Sequence, residues 1–165
     1  MTSLRGTHLR LVSSTEKAPL ATLTDASHRR VPGVVLGTSS LGSIDPTGIF
    51  GREARQRAFE LLDTWYEAGG RALDLARSYQ LGGAERVVGA WLRSTRVRDR
   101  LFLMSKGGHP WGWLAPNRLD TASLEADLLA SLRALRVESL DLFALHRDDA
   151  GADLGRLACD LRRYR

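Results

Sequence analysis

Short apolar runs alternate with longer amphipathic segments along most of this chain. The apolar runs are five to seven residues long, and glycine or polar residues follow each of them. Runs of this length and composition are typical of buried strands. They predict four strands, at residues 34–38, 72–76, 101–106 and 140–146.

The segments between these runs carry apolar residues at helical spacing. They predict three helices, and a thinner apolar face predicts a fourth, at about residues 52–68, 84–93, 121–135 and 152–165. The core face of the first helix is expected to consist of Ala54, Ala58, Leu61, Leu62 and Trp65. Gly69 and Gly70 are expected to end that helix. Asp120 or Thr121 is expected to cap the third.

The order of the elements indicates an α/β protein. Strands that are apolar on both faces and alternate with helices imply a parallel sheet covered on both sides. This pattern leaves two architectures open, a doubly wound sheet and part of a (β/α)8 barrel. The predicted domain comprises residues 31–165. Residues 1–30 lack a sustained period and are interpreted as a flexible tail, with a short strand at 9–12.

The composition is that of a globular protein, with 43% hydrophobic and 26% charged residues. No apolar run approaches the roughly 20 residues of a membrane span. The first 15 residues lack the apolar core of a signal peptide. Cys159 is the single cysteine, which excludes an internal disulfide and fits a reducing compartment. We therefore expect a cytoplasmic protein with no membrane partner.

The net charge of +5 is concentrated at the two ends of the sequence. Residues 1–30 carry +3 and residues 156–165 another +3, so the part between them sums to −1. A nucleic-acid-binding domain would carry basic residues on its folded body, so nucleic acid is not an expected partner. Arginine makes up 22 of the 24 basic residues, and Lys106 is one of two lysines. Its place at the end of an apolar run marks it as a candidate functional residue.

Four ionisable residues stand near the ends of successive predicted strands: Asp74, Tyr79, Lys106 and His146. Parallel strands end on the same side of a sheet, so these side chains are expected to converge where α/β enzymes place their active sites. A tyrosine is a poor acid at neutral pH, and a neighbouring ammonium makes it a better one. The group suits protonation of a carbonyl oxygen while hydride reaches its carbon. Each residue also has an ordinary structural interpretation, such as a loop tyrosine or a capping aspartate.

The chain resembles a known family in five ordered segments. They are residues 36–42 (LGTSSLG), 69–79 (GGRALDLARSY), 84–92 (AERVVGAWL), 103–106 (LMSK) and 139–147 (SLDLFALHR). In type and order they are similar to the N-terminal half of an aldo-keto reductase, with coverage from about residue 31 to residue 149. The resemblance implies a (β/α)8 barrel that reduces small aldehydes and ketones with a nicotinamide cofactor, usually NADPH.

The resemblance also assigns roles to individual residues. Tyr79 would donate the proton, and Lys106 would make it more acidic. Asp74 would hold Lys106, and His146 would orient the carbonyl. We call these four residues the tetrad. The residues expected to lie against the cofactor are Gly37, Thr38, Ser39 and Asp74. Those expected to shape the substrate pocket are His109, Trp111 and Trp113. No metal is implied.

The chain departs from the family pattern beside the tetrad and in its length. Leu75 stands where the family usually has threonine, and Gln80 stands where it commonly has glycine. A complete barrel takes about 250 residues, whereas this chain has 165. In the family, strands five to eight bind most of the dinucleotide. We therefore expect a truncated reductase, whose open sheet edges allow self-association. A non-catalytic reductase-like binding or regulatory module, or an inactive fragment, is the alternative.

Overall fold

A computed structural model of the protein describes residues 23–24, 30–31, 33–42, 51–112, 115–116 and 118–164. The strand predicted at 9–12 and most of the predicted tail lie outside these residues. The first described element is a short antiparallel ladder, in which β1 (Leu23–Thr24) pairs with β2 (Arg30–Val31).

The main sheet has four parallel strands, which neighbour one another in their order along the chain. They are β3 (Leu36–Gly37), β4 (Ala72–Asp74), β5 (Phe102–Gly107) and β6 (Leu142–Leu145). This arrangement confirms the predicted parallel α/β fold. It also decides between the two architectures, because strand order is sequential in a barrel and reverses in a doubly wound sheet.

Helices alternate with these strands. They are α1 (Arg52–Glu67), α2 (Gly83–Thr95), α3 (Thr121–Leu135) and α4 (Leu154–Asp160). The described residues also contain short 3-10 segments at Tyr79–Gly82, Arg98–Arg100 and Leu161–Tyr164. The prediction for α3 is confirmed, whereas the helix predicted over 152–165 is wrong in extent. Leu157 is the only residue of α4 that is buried, so packing supports only a short helix there.

Local sequence explains one helix start and one helix end. Asp120 caps α3, because its Oδ1 accepts a hydrogen bond from the Ser123 backbone N–H at 2.9 Å. Hydrogen bonds from Ser123 also lower the pKa of Asp120. After α1, Gly69 adopts a φ of +93°, a conformation that favours glycine. The Gly70 N–H then donates to the Trp65 carbonyl at 2.9 Å. Both predicted signals are confirmed.

The hydrophobic core lies between the sheet and helices α1, α2 and α3. Leu73 of β4 and Leu103 of β5 lie opposite each other and are buried. The largest contribution from a helix is that of α2, with Ala84, Val87, Val88, Trp91 and Leu92. The prediction that Leu61 faces the core is wrong, because Leu62 occupies the core position. Leu61 is turned about 100° away around the helix axis and is exposed.

Apolar side chains are exposed at both edges of the sheet. Val34 and Val35 precede β3, and Leu142 and Leu145 belong to β6. The strand predicted at 34–38 is shorter than expected, because β3 has a single neighbour and pairs with it at two residues. The described residues thus form a partial barrel with two open edges, four strands of the eight that close one. Within them, no helix combines the length and hydropathy needed to cross a membrane.

A buried aspartate joins the start of β6 to β5. Asp141 Oδ2 accepts a hydrogen bond from the Leu103 backbone N–H at 2.7 Å and lies 3.2 Å from Arg98 Nη1. The Asp141 N–H donates to the Leu103 carbonyl at 3.0 Å. The Asp141 side chain is only 2% exposed, so water does not readily take over its hydrogen bonds when the carboxylate is removed. Their loss is therefore costly.

We expect Asp141→Ala to lower the free energy of unfolding by about 2–3 kcal/mol, since it leaves a buried N–H and a guanidinium without this acceptor. Urea denaturation followed by circular dichroism measures the change. Asp99→Ala is the control, because Asp99 is exposed, and it should stay within about 0.5 kcal/mol of the wild type. Equal effects of the two substitutions would show that Asp141 does not brace the sheet.

Candidate active site

The carboxyl ends of β4, β5 and β6 bring three members of the tetrad to one edge of the sheet, which we call the rim. Asp74 is the last residue of β4, and Lys106 is the penultimate residue of β5. His146 directly follows β6, and its backbone N–H donates to the Gly107 carbonyl at 2.8 Å. Because the three strands are adjacent and parallel, the predicted convergence of these residues is what the fold produces.

The Lys106 ammonium is the centre of this rim. Its Nζ donates hydrogen bonds to Asp74 Oδ1 and, at 2.8 Å, to the Leu75 carbonyl. The Lys106 side chain is 17% exposed and the Asp74 side chain 26%. The pair is thus largely withdrawn from water, but it is still accessible to a ligand. An ammonium in this position needs the carboxylate, because an unpaired buried charge is costly.

Tyr79 lies above the ammonium. The centroid of its ring is 4.8 Å from Lys106 Nζ, a distance at which the cation and the ring attract each other. Among the described residues, no group forms a hydrogen bond with the Tyr79 hydroxyl. The hydroxyl is therefore available to a ligand at the rim.

The segment after Tyr79 has an unusual backbone. Gln80, Leu81 and Gly82 have φ angles of +51°, +53° and +78° in succession. A non-glycine residue in this region costs about 1–3 kcal/mol and is typical of functional sites. The Gln80 Nε2 donates to the Ser39 carbonyl at 3.1 Å, which ties this segment to the turn after β3. Gln80 thus contacts one of the residues predicted to hold the cofactor.

His146 faces Tyr79 across the rim. The two rings meet edge to face with centroids 5.7 Å apart, and Ser78 Oγ lies 3.3 Å from His146 Nδ1. Burial lowers the pKa of His146 below its ordinary value of 6.5, and the charges of His109 and Lys106 lower it further, while Asp74 opposes them. The imidazole is therefore neutral at pH 7 and can donate one hydrogen bond and accept another.

The turn after β3 borders Asp74. Thr38 is buried, and both its backbone N–H and its hydroxyl donate to the Asp74 carbonyl, at 3.1 and 2.9 Å. Gly37 is exposed, and a Cβ added there would meet nothing within 4 Å. Beside the Asp74 carboxylate there is therefore open space over the backbone of β3.

The predicted substrate residues occupy the loop after β5. The His109 ring lies edge to face on His146, with centroids 4.7 Å apart, and its Nδ1–H donates to the Pro110 carbonyl at 2.6 Å. Trp111 is 48% exposed. Two guanidiniums lie near its ring, those of Arg77 and Arg118, at 5.8 and 5.5 Å from the ring centroid. Trp113 lies outside the described residues.

Sequence patterns did not indicate Ser78 or Gln80 as members of the site. Ser78 contacts His146 across the rim, a contact between residues distant in sequence. The Gln80 contact involves a left-handed backbone, and the residue type does not signal that conformation. In the part of the chain that the structure describes, no three His, Cys, Asp or Glu residues form a group that could hold a metal ion.

The model of the Aldo/keto reductase family matches residues 33–161. The chain is 33% identical over 134 residues to a norsolorinic acid reductase of Aspergillus flavus, covering 77% of this chain and 34% of that one. It is 32% identical to a putative aryl-alcohol dehydrogenase of Saccharomyces cerevisiae, covering 81% of this chain and 66% of that one. The chain thus spans between about a third and two thirds of these curated relatives.

Solved structures agree with this match. An aldo-keto reductase of Klebsiella pneumoniae in complex with NADPH is 29% identical, with a TM-score of 0.67 over 86% of this chain and 44% of that one. A glycerol dehydrogenase of Gluconobacter oxydans, 22% identical, shares the fold with a TM-score of 0.73 over 88% of this chain and 45% of that one. From the sheet topology, the geometry of the rim and these matches, we conclude that the chain belongs to the aldo/keto reductase family.

Proposed function

We propose that the rim is the active site of an NADPH-linked carbonyl reductase in which Tyr79 is the proton donor. The observation that supports this most strongly is the position of the Lys106 ammonium between the Asp74 carboxylate and the Tyr79 ring. A proton donor, a cation beside it and a carboxylate that fixes the cation are what protonation of a carbonyl oxygen needs.

The proposed chemistry divides between the cofactor and the chain. Bound NADPH supplies hydride to the carbonyl carbon. Tyr79 gives its hydroxyl proton to the carbonyl oxygen, and the adjacent Lys106 ammonium stabilises the negative charge that forms on the phenol oxygen. Asp74 keeps Lys106 in place through their hydrogen bond. The turn at Gly37, Thr38 and Ser39 would hold the nicotinamide end, where the backbone beside Asp74 is open.

His146 is proposed to orient the substrate. Since its imidazole is neutral at pH 7, one ring nitrogen carries a proton and can donate to the carbonyl oxygen. If the Ser78 hydroxyl donates to Nδ1, that proton is on Nε2. The carbonyl oxygen would then receive hydrogen bonds from both Tyr79 and His146, which fixes its distance from the proton donor.

The loop that faces His146 supports a proposal for the substrate class. His109 and Trp111 offer aromatic surfaces at the rim, and aromatic rings favour stacking on such surfaces. Two relatives are named an aryl-alcohol dehydrogenase and a norsolorinic acid reductase. We therefore propose aromatic aldehydes and ketones as substrates, and 4-nitrobenzaldehyde as the first to assay.

Replacing the proton donor tests this function. If the purified chain oxidises NADPH when 4-nitrobenzaldehyde is added, we expect Tyr79→Phe to lower kcat by about 100-fold or more, the usual contribution of a general acid. Absorbance of the reduced nicotinamide measures the rate, and quenching of its fluorescence measures cofactor binding.

Tyr66→Phe is the matched control, because Tyr66 lies in α1 and packs edge to face against Trp91 rather than at the rim. Its kcat should equal that of the wild type. Full activity in Tyr79→Phe would reject Tyr79 as the proton donor. A wild-type chain that neither binds NADPH nor turns over the aldehyde would reject the reductase function for this chain and favour a non-catalytic module.

The ionisation of His146 gives an independent check. By NMR titration we expect the pKa of His146 to lie below 6.5. We expect His109→Asn to raise this pKa without restoring 6.5, because burial is the larger cause.

The same shift predicts how the stability of the protein depends on pH. An unfolded histidine titrates near 6.5, so below about pH 6.5 the unfolded state binds more protons than the folded state, and the free energy of unfolding falls as the pH drops. His146→Gln should reduce that loss. A pKa of His146 at or above 6.5 would contradict the neutral, donating imidazole.

A further inference from the structure

Glu85 is a charged residue with no exposed surface. It lies in the first turn of α2, and its relative exposure is 0%. A carboxylate withdrawn from water is tolerated only when it is paired and hydrogen-bonded. Glu85 satisfies this through two partners, since Ser105 Oγ donates to Oε1 at 2.8 Å and Arg77 Nη1 donates to Oε2 at 3.2 Å.

The two partners belong to the two segments that carry Lys106 and Tyr79. Ser105 is buried and directly precedes Lys106 in β5. Arg77 precedes Tyr79 by two residues, and its backbone N–H donates to the Lys106 carbonyl at 2.9 Å. Through one carboxylate, Glu85 thus joins the backbone next to the ammonium to the backbone next to the proton donor.

The Arg77–Glu85 pair also closes the strained segment. The chain between these two residues contains Gln80, Leu81 and Gly82, all with positive φ. A Cβ added at Gly82 would overlap the Arg77 guanidinium. Glycine at this position therefore leaves room for the Arg77 side chain to reach Glu85. Left-handed residues persist only where surrounding contacts hold them, and this ion pair is such a contact.

From these contacts we propose that Glu85 is a positioning residue, whose carboxylate sets the distance between the Tyr79 ring and the Lys106 ammonium. It touches neither substrate nor cofactor. It acts by holding Arg77, and with it the Tyr79 segment, against the end of β5. The role in reduction rests on the function proposed above, whereas the mechanical role of the pair does not.

The test compares Glu85→Gln with Glu53→Gln. Glu53 is the matched control, because it also lies in the first turn of a helix and pairs with an arginine, Arg57, but is exposed and distant in sequence from the tetrad. For Glu85→Gln we expect kcat with 4-nitrobenzaldehyde to fall by about tenfold to a hundredfold, as misplacement of a reacting group does. The KM for the aldehyde should change less than about twofold, since Glu85 does not contact it. Glu53→Gln should match the wild type.

Hydrogen exchange separates this proposal from the reductase function. The Tyr79 and Leu81 amides are hydrogen-bonded to the carbonyls of Ala76 and Ser78, at 3.1 and 3.2 Å. In Glu85→Gln we expect amides 77–82 to exchange about tenfold faster, while those of α3 keep their wild-type rates. If the wild-type chain proves inactive, this local increase still supports the positioning role, and its absence overturns it.

The double variant Arg77→Gln/Glu85→Gln covers the case in which Glu85→Gln does not fold, because it leaves neither charge unpaired. It should show the same fall in kcat and the same local increase in exchange. Wild-type kcat together with wild-type exchange at 77–82, in either variant, would overturn the proposal.

Discussion

The arrangement of the rim depends on the ion pair between the Lys106 ammonium and the Asp74 carboxylate. The Lys106 ammonium is 17% exposed, and a charge so far withdrawn from water requires a partner. The parallel pairing of β4 with β5 supplies it, because the carboxyl ends of both strands lie on the same side. With the ammonium fixed on Asp74, the Tyr79 ring can lie 4.8 Å away and leave its hydroxyl to a ligand. The proposed chemistry depends on this pair.

Buried acidic side chains hold the segments next to the rim through hydrogen bonds and ion pairs. Glu85 holds Arg77 and Ser105, and Asp141 joins the start of β6 to β5. Asp127 acts similarly on the loop that carries His109, since its carboxylate accepts from the Gly108 N–H at 2.9 Å and pairs with Arg118. Each carboxylate connects two segments of the chain that are distant in sequence. A site that must keep its distances is thereby built on the rigid part of the fold.

Sequence patterns predict the frame of this site better than its details. The convergence of Asp74, Lys106 and His146 is predictable, because parallel strands in sequence end on one side. The Arg77–Glu85 pair is not predictable, because the chain between the two residues contains three successive left-handed residues. The sequence does mark Glu85 itself as unusual: it lies three residues before Val88 and seven before Leu92, on a helix face that is otherwise apolar. The apolar pattern predicts longer strands than the ladders contain: Val34 and Val35 lie outside β3, and residues 75–76 lie outside β4.

A crystal structure of the chain with NADP+ and an aromatic aldehyde would test the central claim most directly. We predict that the aldehyde oxygen lies within about 2.6–3.2 Å of the Tyr79 hydroxyl, with a ring nitrogen of His146 as its second partner and Lys106 still paired with Asp74. An aldehyde bound away from Tyr79, or a Lys106 ammonium separated from Asp74 in the complex, would contradict the account.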